Sequence, residues 1–366
     1  MVSSKMLSDF EQELLNVSSQ VDEYLDKNQF KDVFCPDEIL HSSFHYLELG
    51  GKRLRPAVTL FSCGAVGGDP SKALPAAVAA EIWHNFTLAH DDIIDQDKKR
   101  RNGETVHVRW NRESKETYGW SDDISNHFGT TVGILTGDVQ QGWAIAKLMP
   151  DLYYTLGIDP KIALKLTYQL GFVTLTHLVE GETLDVIYSK TSLDNLDENM
   201  IQRMMAKKTG ALFQFCGLAG AMIGLNTDDE KNHIVDSLAN FAFMCGTAFQ
   251  IQDDILGITA NETKLGKPVG SDIIRGNRTI PLLRSFSKAN DSQKQLIQNT
   301  LGNQSATKNE IDDVINLIQD LGGVDYAKDI ANSQINTALN LLKSVPDSKF
   351  KRLLSSWAEF MLNRSL

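Results

Sequence analysis

Two carboxylate clusters are placed where acids are costly: Asp91-Asp92-Ile93-Ile94-Asp95 and, far downstream, Asp253-Asp254-Ile255-Leu256-Gly257. Each ends an apolar run with helical spacing, Phe86-Thr87-Leu88-Ala89-His90 before the first and Phe249-Gln250-Ile251-Gln252 before the second. Carboxylates this dense beside residues that must be buried repel one another and lose hydration, a cost that a cation offsets. At about 100° per residue, Asp91 and Asp95 fall roughly 40° apart on one helical face. That face offers two hard oxygen donors to a divalent cation while its flanks pack. Two such faces imply a cavity for Mg²⁺ and for a ligand that bridges metals, best matched by a diphosphate. Asp92, about 100° from Asp91, is expected to support the site and not to ligate directly.

Cations stand nearby in sequence. Gly50-Gly51-Lys52-Arg53-Leu54-Arg55-Pro56 precedes the first cluster, and Lys98-Lys99-Arg100-Arg101 follows it. Arg100 and Arg101 are the expected phosphate ligands, with Lys98 and Lys99 solvated. His84 falls about 20° from Asp91 around a helix, hence on the site face, whereas His90 reads as structural. The glycine pairs lack the spacing of a phosphate-binding P-loop, so they read as turns.

The elements that position these groups are helices. Leu14, Val17, Val21 and Leu25 form one stripe, and Ile82, Phe86 and Ala89 another. Helical runs are expected over Ile134–Leu148, Ile162–Ile187, Leu212–Ile223, Ile234–Ile255, Ile311–Ile318 and Ile335–Leu342. Strand-like alternation is nearly absent, so the predicted fold class is all-α. Glycine and proline punctuate it at Gly67-Gly68-Asp69-Pro70 and Gly157-Ile158-Asp159-Pro160, and Asp228-Asp229-Glu230 suits a helix N-terminus. Thr87–Ile94 echoes Phe249–Leu256, each setting an aspartate pair at the polar end of an apolar helix, so two such helices facing one another would make a bundle with inward carboxylates.

With 366 residues and 42% hydrophobic content, no linker-like tract and two clusters building one site, one domain over residues 1–366 is expected. The net charge of −11 disfavours nucleic acid and anionic membrane as partners. It also requires bound divalent ions and local Lys/Arg to reverse the potential at an anion site. No apolar run approaches the roughly 18–20 residues of a membrane span. The first residues lack a signal-peptide core, and Cys35, Cys63, Cys216 and Cys245 show no CxxC spacing, so a cytoplasmic protein with reduced thiols is expected.

Six elements in order resemble the trans-isoprenyl diphosphate synthases of the polyprenyl synthetase family. They are Gly50–Pro56, Asp91–Asp95, Arg100-Arg101, Lys208-Thr209, Phe249-Gln250 running into Asp253-Asp254, and Gly266-Lys267-Pro268. The resemblance implies an isoprenoid-synthase-type helical bundle around a central cavity, and a homodimer. It implies head-to-tail condensation of isopentenyl diphosphate with dimethylallyl, geranyl or farnesyl diphosphate through an allylic carbocation. Lys52, Arg55, His84 and Arg101 would hold isopentenyl diphosphate; Asp91 and Asp95 would bind two Mg²⁺ and Asp253 a third. Arg100, Lys208 and Lys267 would complete the allylic diphosphate pocket, and the Lys208 carbonyl, Thr209 hydroxyl and Gln250 amide oxygen would face the cation. The tail Leu362-Asn363-Arg364 is a candidate for closing the site.

Three positions depart from the family pattern: Gly257 stands where an aspartate is frequent, Asn277 where a lysine is, and Glu182 where a glutamine is. The family's chain-length floor maps onto Phe86, Thr87 and Trp83; small Thr87 beside Phe86 resembles synthases that stop at geranylgeranyl diphosphate, while Trp83 leaves farnesyl diphosphate open. A longer-chain synthase, a terpene cyclase and a non-catalytic subunit are the alternatives. The Asp-Asp second cluster and the Lys52/Arg55 pair speak against the cyclase, and the retained metal aspartates against the subunit.

Overall fold

The computed structural model describes residues 4–27, 30–259 and 270–362. The fold is all-α, as the scarcity of alternating strands predicts; among the described residues the one sheet is a hairpin of two-residue strands, β1 (Lys99–Arg100) and β2 (Gly103–Glu104). Sequence periodicity missed this hairpin because it is too short for alternation. Its turn residues, Arg101 and Asn102, both have positive φ (51° and 63°), and the one available signal was the Asn102-Gly103 dipeptide.

The chain forms two compact units. The first, Met1–Gln169 with Leu218–Glu230, contains α1 (Ser4–Lys27), α2 (Asp37–Glu48), α3 (Leu54–Ala65), α4 (Leu74–Ile94), α5 (Val106–Tyr118), α6 (Asp122–Trp143), α7 (Met149–Tyr154) and α8 (Pro160–Tyr168). Its centre is α4, which packs against α1, α3, α6 and α7. Pro75 opens α4 at a position where no helical donor is lost, and the alanine-rich stretch after it favours helix while letting neighbours approach on every side. Trp83 and Ile82 of α4, Phe10 of α1, Phe61 of α3 and Leu152 of α7 are fully buried around it. The α1 stripe Leu14, Val17, Val21 and Leu25 is buried as predicted.

The second unit, Leu170–Gly217 with Lys231–Leu366, holds α9 (Leu175–Lys190), α10 (Glu198–Met205), the start of α11 (Ala211–Leu225) and α12 (His233–Thr259). Then follow α13 (Ser271–Arg275), α14 (Ile280–Lys288), α15 (Asp291–Thr300), α16 (Lys308–Asp320), α17 (Gly323–Leu341) and α18 (Lys349–Leu362). Here α12 is central, packing on α17 and α18. Leu238, Phe241, Ala242, Cys245, Ala248, Ile251 and Ile255 repeat at helical spacing and are buried. Trp357 of α18 closes the end of this core, 5.5 Å from the Phe213 ring and 5.9 Å from Phe241.

Two expectations are corrected. Asp228-Asp229-Glu230 does not open a helix: α12 begins at His233, and Glu230 sits in the preceding loop, 2.6 Å from Lys165 Nζ and bonded to Gln169. A partner distant in sequence outcompeted the helix dipole. Also, among the described residues three helices are long and apolar enough to cross a membrane by length and composition: Pro160–Lys190, Glu198–Leu225 and His233–Thr259. Scattered polar residues hid them from a search for unbroken apolar runs. Of the apolar window, 72% is buried in the second and 56% in the third, against 33% in the first.

Candidate active site

In the first unit the acids sit at the end of α4. Asp91 and Asp92 occupy its last turn, and Asp95 caps it, its N–H donating to the Asp91 carbonyl at 2.8 Å. Asp91 and Asp95 are half-buried, whereas Asp92 is wholly buried. Tyr46 explains the difference: its phenol accepts from the Val106 N–H at 3.2 Å and donates to Asp92 Oδ2. Arg100 grips the same carboxylate, with Nε 2.8 and 3.0 Å from its two oxygens and Nη2 2.5 Å from Oδ1. Burial raises the Asp92 carboxyl above its usual range, and the Arg100 and Tyr46 bonds pull it back.

Arg100 thus bonds acids of its own chain. The hairpin folds it over the end of α4, committing Nε and Nη2 to Asp92 and, at 3.2 Å, to Asp91. These bonds orient the acidic cluster at the end of α4. Arg101 turns the other way, donating through Nη1 to the carbonyls of Tyr46, at 2.6 Å, and Gly50. Its guanidinium lies so close over Gly51 (φ +145°) that a Cβ there would stand 3.0 Å away, so glycine is needed at that approach.

Arg53, which sequence reasoning passed over, is the hinge of this loop. It precedes α3 with φ 47° and is buried, 2.9 Å from the equally buried Glu81, 3.1 Å from the Leu47 carbonyl and 3.4 Å from Asp22. A lone acid in the apolar stretch Ala79-Ala80-Glu81-Ile82 was the available signal. Next to this pair, Lys52 is exposed and Arg55 half-buried.

His84 sits amid these cations. Burial first, then Arg55, Arg101, Arg100 and Arg53, hold its imidazole well below the usual range, so it is neutral at pH 7. Its Nδ1 is buried with no hydrogen-bond partner. A pocket of several cations around a neutral ring suits an anion, which would favour the imidazolium in turn. The sign of the pH effect follows. The unfolded chain protonates His84 near pH 6.5 and the folded protein only at lower pH, so folding stability conferred by this group is present above 6.5 and lost on acidification. His84→Asn is expected to flatten the fall in Tm below pH 6.5, and inorganic diphosphate to flatten it in the unchanged protein; thermal melts across pH check both.

In the second unit, Lys208 and Thr209 lie within a π-helical turn, Ala206–Gly210, the widened geometry that recurs at functional positions. Thr209 Oγ1 donates to Gln250 Oε1 at 3.0 Å, and Gln250 Nε2 donates to Asp254 Oδ1 at 3.2 Å. Thr209 and Gln250, far apart in sequence, therefore adjoin. Lys208 Nζ pairs with Asp185 Oδ2 at 2.7 Å and Glu182 Oε2 at 2.9 Å. Gly181 permits this, since a Cβ there would stand 2.3 Å from the Lys208 backbone nitrogen. Glu182 is thus the salt-bridge partner of Lys208, and Asp185, three residues on, is a site residue that sequence reasoning missed.

Asp253 is half-buried and Asp254 buried. Burial raises the Asp254 carboxyl well above its usual range, and the charges of Asp272, Asp253 and Asp185 add to that, while Gln250 opposes it. Asp272 was likewise unforeseen. Crowded carboxylates that raise one another's pKa are the hard-oxygen donor set that magnesium takes. Among the described residues no three acid, histidine or cysteine side chains converge tightly enough to hold an ion alone. That agrees with a metal held by one or two carboxylates and completed by phosphate oxygens and water. Lys267 and Arg364 lie outside the described residues.

The floor candidates occupy successive turns of α4. Trp83 is fully buried, its ring 5.2 Å from Phe86 edge-on; Phe86 is buried and meets His90, also at 5.2 Å. Half-buried Thr87 donates to the His84 carbonyl at 2.8 Å.

Residues 37–318 match the family model described as polyprenyl synthetase. The chain is 33% identical over 366 residues to the geranylgeranyl diphosphate synthase of Saccharolobus solfataricus, covering 99% of each chain. The crystal structure of geranylgeranyl pyrophosphate synthetase from Pyrococcus horikoshii superposes with a TM-score of 0.80 at 31% identity over 100% of both chains. That of geranylgeranyl pyrophosphate synthase from Corynebacterium glutamicum, complexed with isoprenyl diphosphate and magnesium, gives 0.82 at 23% identity, covering 97% of this chain and 99% of its own.

Proposed function

The chain belongs to the polyprenyl synthetase family and is a trans-prenyltransferase; from that premise we propose that it condenses isopentenyl diphosphate head-to-tail with an allylic diphosphate and releases geranylgeranyl diphosphate. The observation that carries the substrate assignment is the cationic loop around neutral, unpartnered His84, beside an acid-capped helix end. An anion that needs no metal fits the first feature, and one that does fits the second.

In this scheme Lys52, Arg55, His84 and Arg101 bind the diphosphate of isopentenyl diphosphate, with charge-assisted bonds from the cations. Asp91 and Asp95 would hold two magnesium ions and Asp253 a third; the relative crystallised with magnesium and isoprenyl diphosphate supports divalent-metal use. Bound magnesium would supply positive charge against the departing diphosphate. As the allylic C–O bond breaks, the electron pair leaves with diphosphate. The double bond of isopentenyl diphosphate then attacks the allylic carbon, and loss of a proton restores an alkene. Thr209 directs its hydroxyl hydrogen to Gln250, which leaves its oxygen lone pairs for positive charge. Lys208 is held by Asp185 and Glu182 so that its backbone carbonyl can do the same, and Lys267 is assigned to the allylic diphosphate by family pattern alone.

Purified protein given magnesium, isopentenyl diphosphate and farnesyl diphosphate should yield a C20 alcohol after dephosphorylation and chromatography. Turnover without isopentenyl diphosphate would indicate a cyclase, and none at all a non-catalytic subunit. Phe86→Ala should lengthen the product by one or more five-carbon units, because removing a buried ring opens apolar volume, at a stability cost of about 3–5 kcal/mol. Unchanged chain length would remove Phe86 from the floor.

Exposed apolar residues of the second unit, Phe172, Val179, Val186 and Ile187, 44–60% exposed, support a homodimer. Sedimentation at micromolar concentration should give twice the chain mass, and Phe172→Asp the single mass. A cytoplasmic location accords with this assignment.

A further inference from the structure

The second unit holds a cavity of about 280 Å³, lined from α10, α12 and α17, that the proposed reaction does not use. Its lining shares no residue with the candidate site, yet the two adjoin along the chain. Ala206 and Thr247, both in its wall, stand three residues before Thr209 and Gln250, and Ala206 opens the π-helical turn that holds Lys208 and Thr209. A cavity of about 150 Å³ already takes a benzene ring, so this one has room for a bicyclic ring with a short acid arm.

Its chemistry is selective. Arg203, exposed on α10, is the one charged residue of the lining. Gln334 lines the cavity from α17, and its Oε1 is buried without a hydrogen-bond partner. A buried carbonyl oxygen left in that state is costly, and a ligand N–H or O–H removes the cost. Half-buried Phe243 and Met244 supply the apolar share, an aromatic ring and a polarisable thioether that both favour an aromatic ligand. Gln202 and Thr247 are already committed. Gln202 Nε2 donates to Glu198 Oε1 at 2.7 Å, Glu198 Oε2 accepts from the Tyr326 hydroxyl at 2.7 Å, and Thr247 Oγ1 donates to the Phe243 carbonyl at 3.0 Å. These bonds fix the wall and leave the choice of ligand to Arg203 and Gln334.

We propose that this cavity binds a small aromatic carboxylic acid bearing a ring N–H or O–H, with its carboxylate on Arg203 and its ring donor on Gln334 Oε1. Prenyl diphosphates do not fit that description: their hydrocarbon tails carry no donor, and a single guanidinium is too little positive charge for a diphosphate. The site is therefore a second one, and its existence does not depend on prenyl transfer being the reaction.

Calorimetric titration of indole-3-acetate into the full-length protein tests this, with naphthalene-1-acetate as the analogue of similar shape that lacks the ring N–H. One site per chain is expected, with a Kd on the order of 0.1 mM and a preference of about tenfold for the indole, the worth of one buried hydrogen bond. Arg203→Gln should weaken both acids by about tenfold. Gln334→Leu should abolish the preference without lowering Tm, because it removes the stranded oxygen. Magnesium and inorganic diphosphate should leave the indole titration unchanged. No binding at millimolar indole-3-acetate overturns the proposal, as does equal affinity for the two acids or binding that both variants leave intact. Displacement by diphosphate overturns it too, since the probe would then sit in the candidate active site. If Gln334→Leu does not fold, Arg203→Gln, at an exposed position, decides alone.

Discussion

Asp91→Asn is expected to lower turnover of isopentenyl diphosphate with farnesyl diphosphate by on the order of 10³-fold, with the fold intact. Asp91 is half-buried, and Arg100, 3.2 Å from it, keeps its closer bonds to Asp92 when Asp91 becomes an amide. The loss should therefore appear in kcat and in the magnesium dependence, and hardly in Tm. Its neighbour gives the contrast. Asp92→Asn removes the charge that Arg100 grips through two nitrogens and that Tyr46 donates to. It should destabilise the protein by about 3–5 kcal/mol, the usual cost of stranding a buried charge. Steady-state diphosphate release and denaturant unfolding separate the two effects. Near-normal turnover in Asp91→Asn would remove it from the metal site.

Arg53→Ala should cost about 3–5 kcal/mol of stability, more than expected for any other single change in the cationic loop. The side chains of Arg53 and Glu81 are 2% and 3% exposed, so truncation leaves the Glu81 carboxylate buried without its closest cation. Replacing both, as in Arg53→Met/Glu81→Leu, should regain much of the loss, because apolar partners need no charge compensation. Activity should not return in parallel. Arg53 also bonds the Leu47 carbonyl and sets the left-handed start of α3, which places Lys52 and Arg55. A raised KM for isopentenyl diphosphate at restored stability would separate the loop's anchoring role from its contribution to folding. Equal stability of Arg53→Ala and the unchanged protein would show that the buried pair contributes nothing.

The candidate site residues were legible in order along the chain. Asp91, Asp95 and Asp253 declared themselves because acids at the end of an apolar helix are rare and expensive. Lys52, Arg55, His84, Lys208, Thr209 and Gln250 were singled out as candidates by motif and by angle around a helix. Their partners were not legible. The Arg100 guanidinium is bonded to Asp92; Glu182 looked like a mere departure and is a salt-bridge partner of Lys208. The acids Asp228–Glu230 suited a helix start by local rule, yet Glu230 is drawn to Lys165 and Gln169.

By itself, then, the sequence determined the helical class, the buried stripes and the two acid-tipped helices, because side-chain direction along a helix repeats every 3.6 residues and needs no partner. Only tertiary structure decided which charges neutralise which: Arg53 with Glu81, Arg100 with Asp92, and Lys208 with Asp185. Charge compensation inside a protein acts between chain segments brought together by packing, and nothing in local periodicity records which segments those will be.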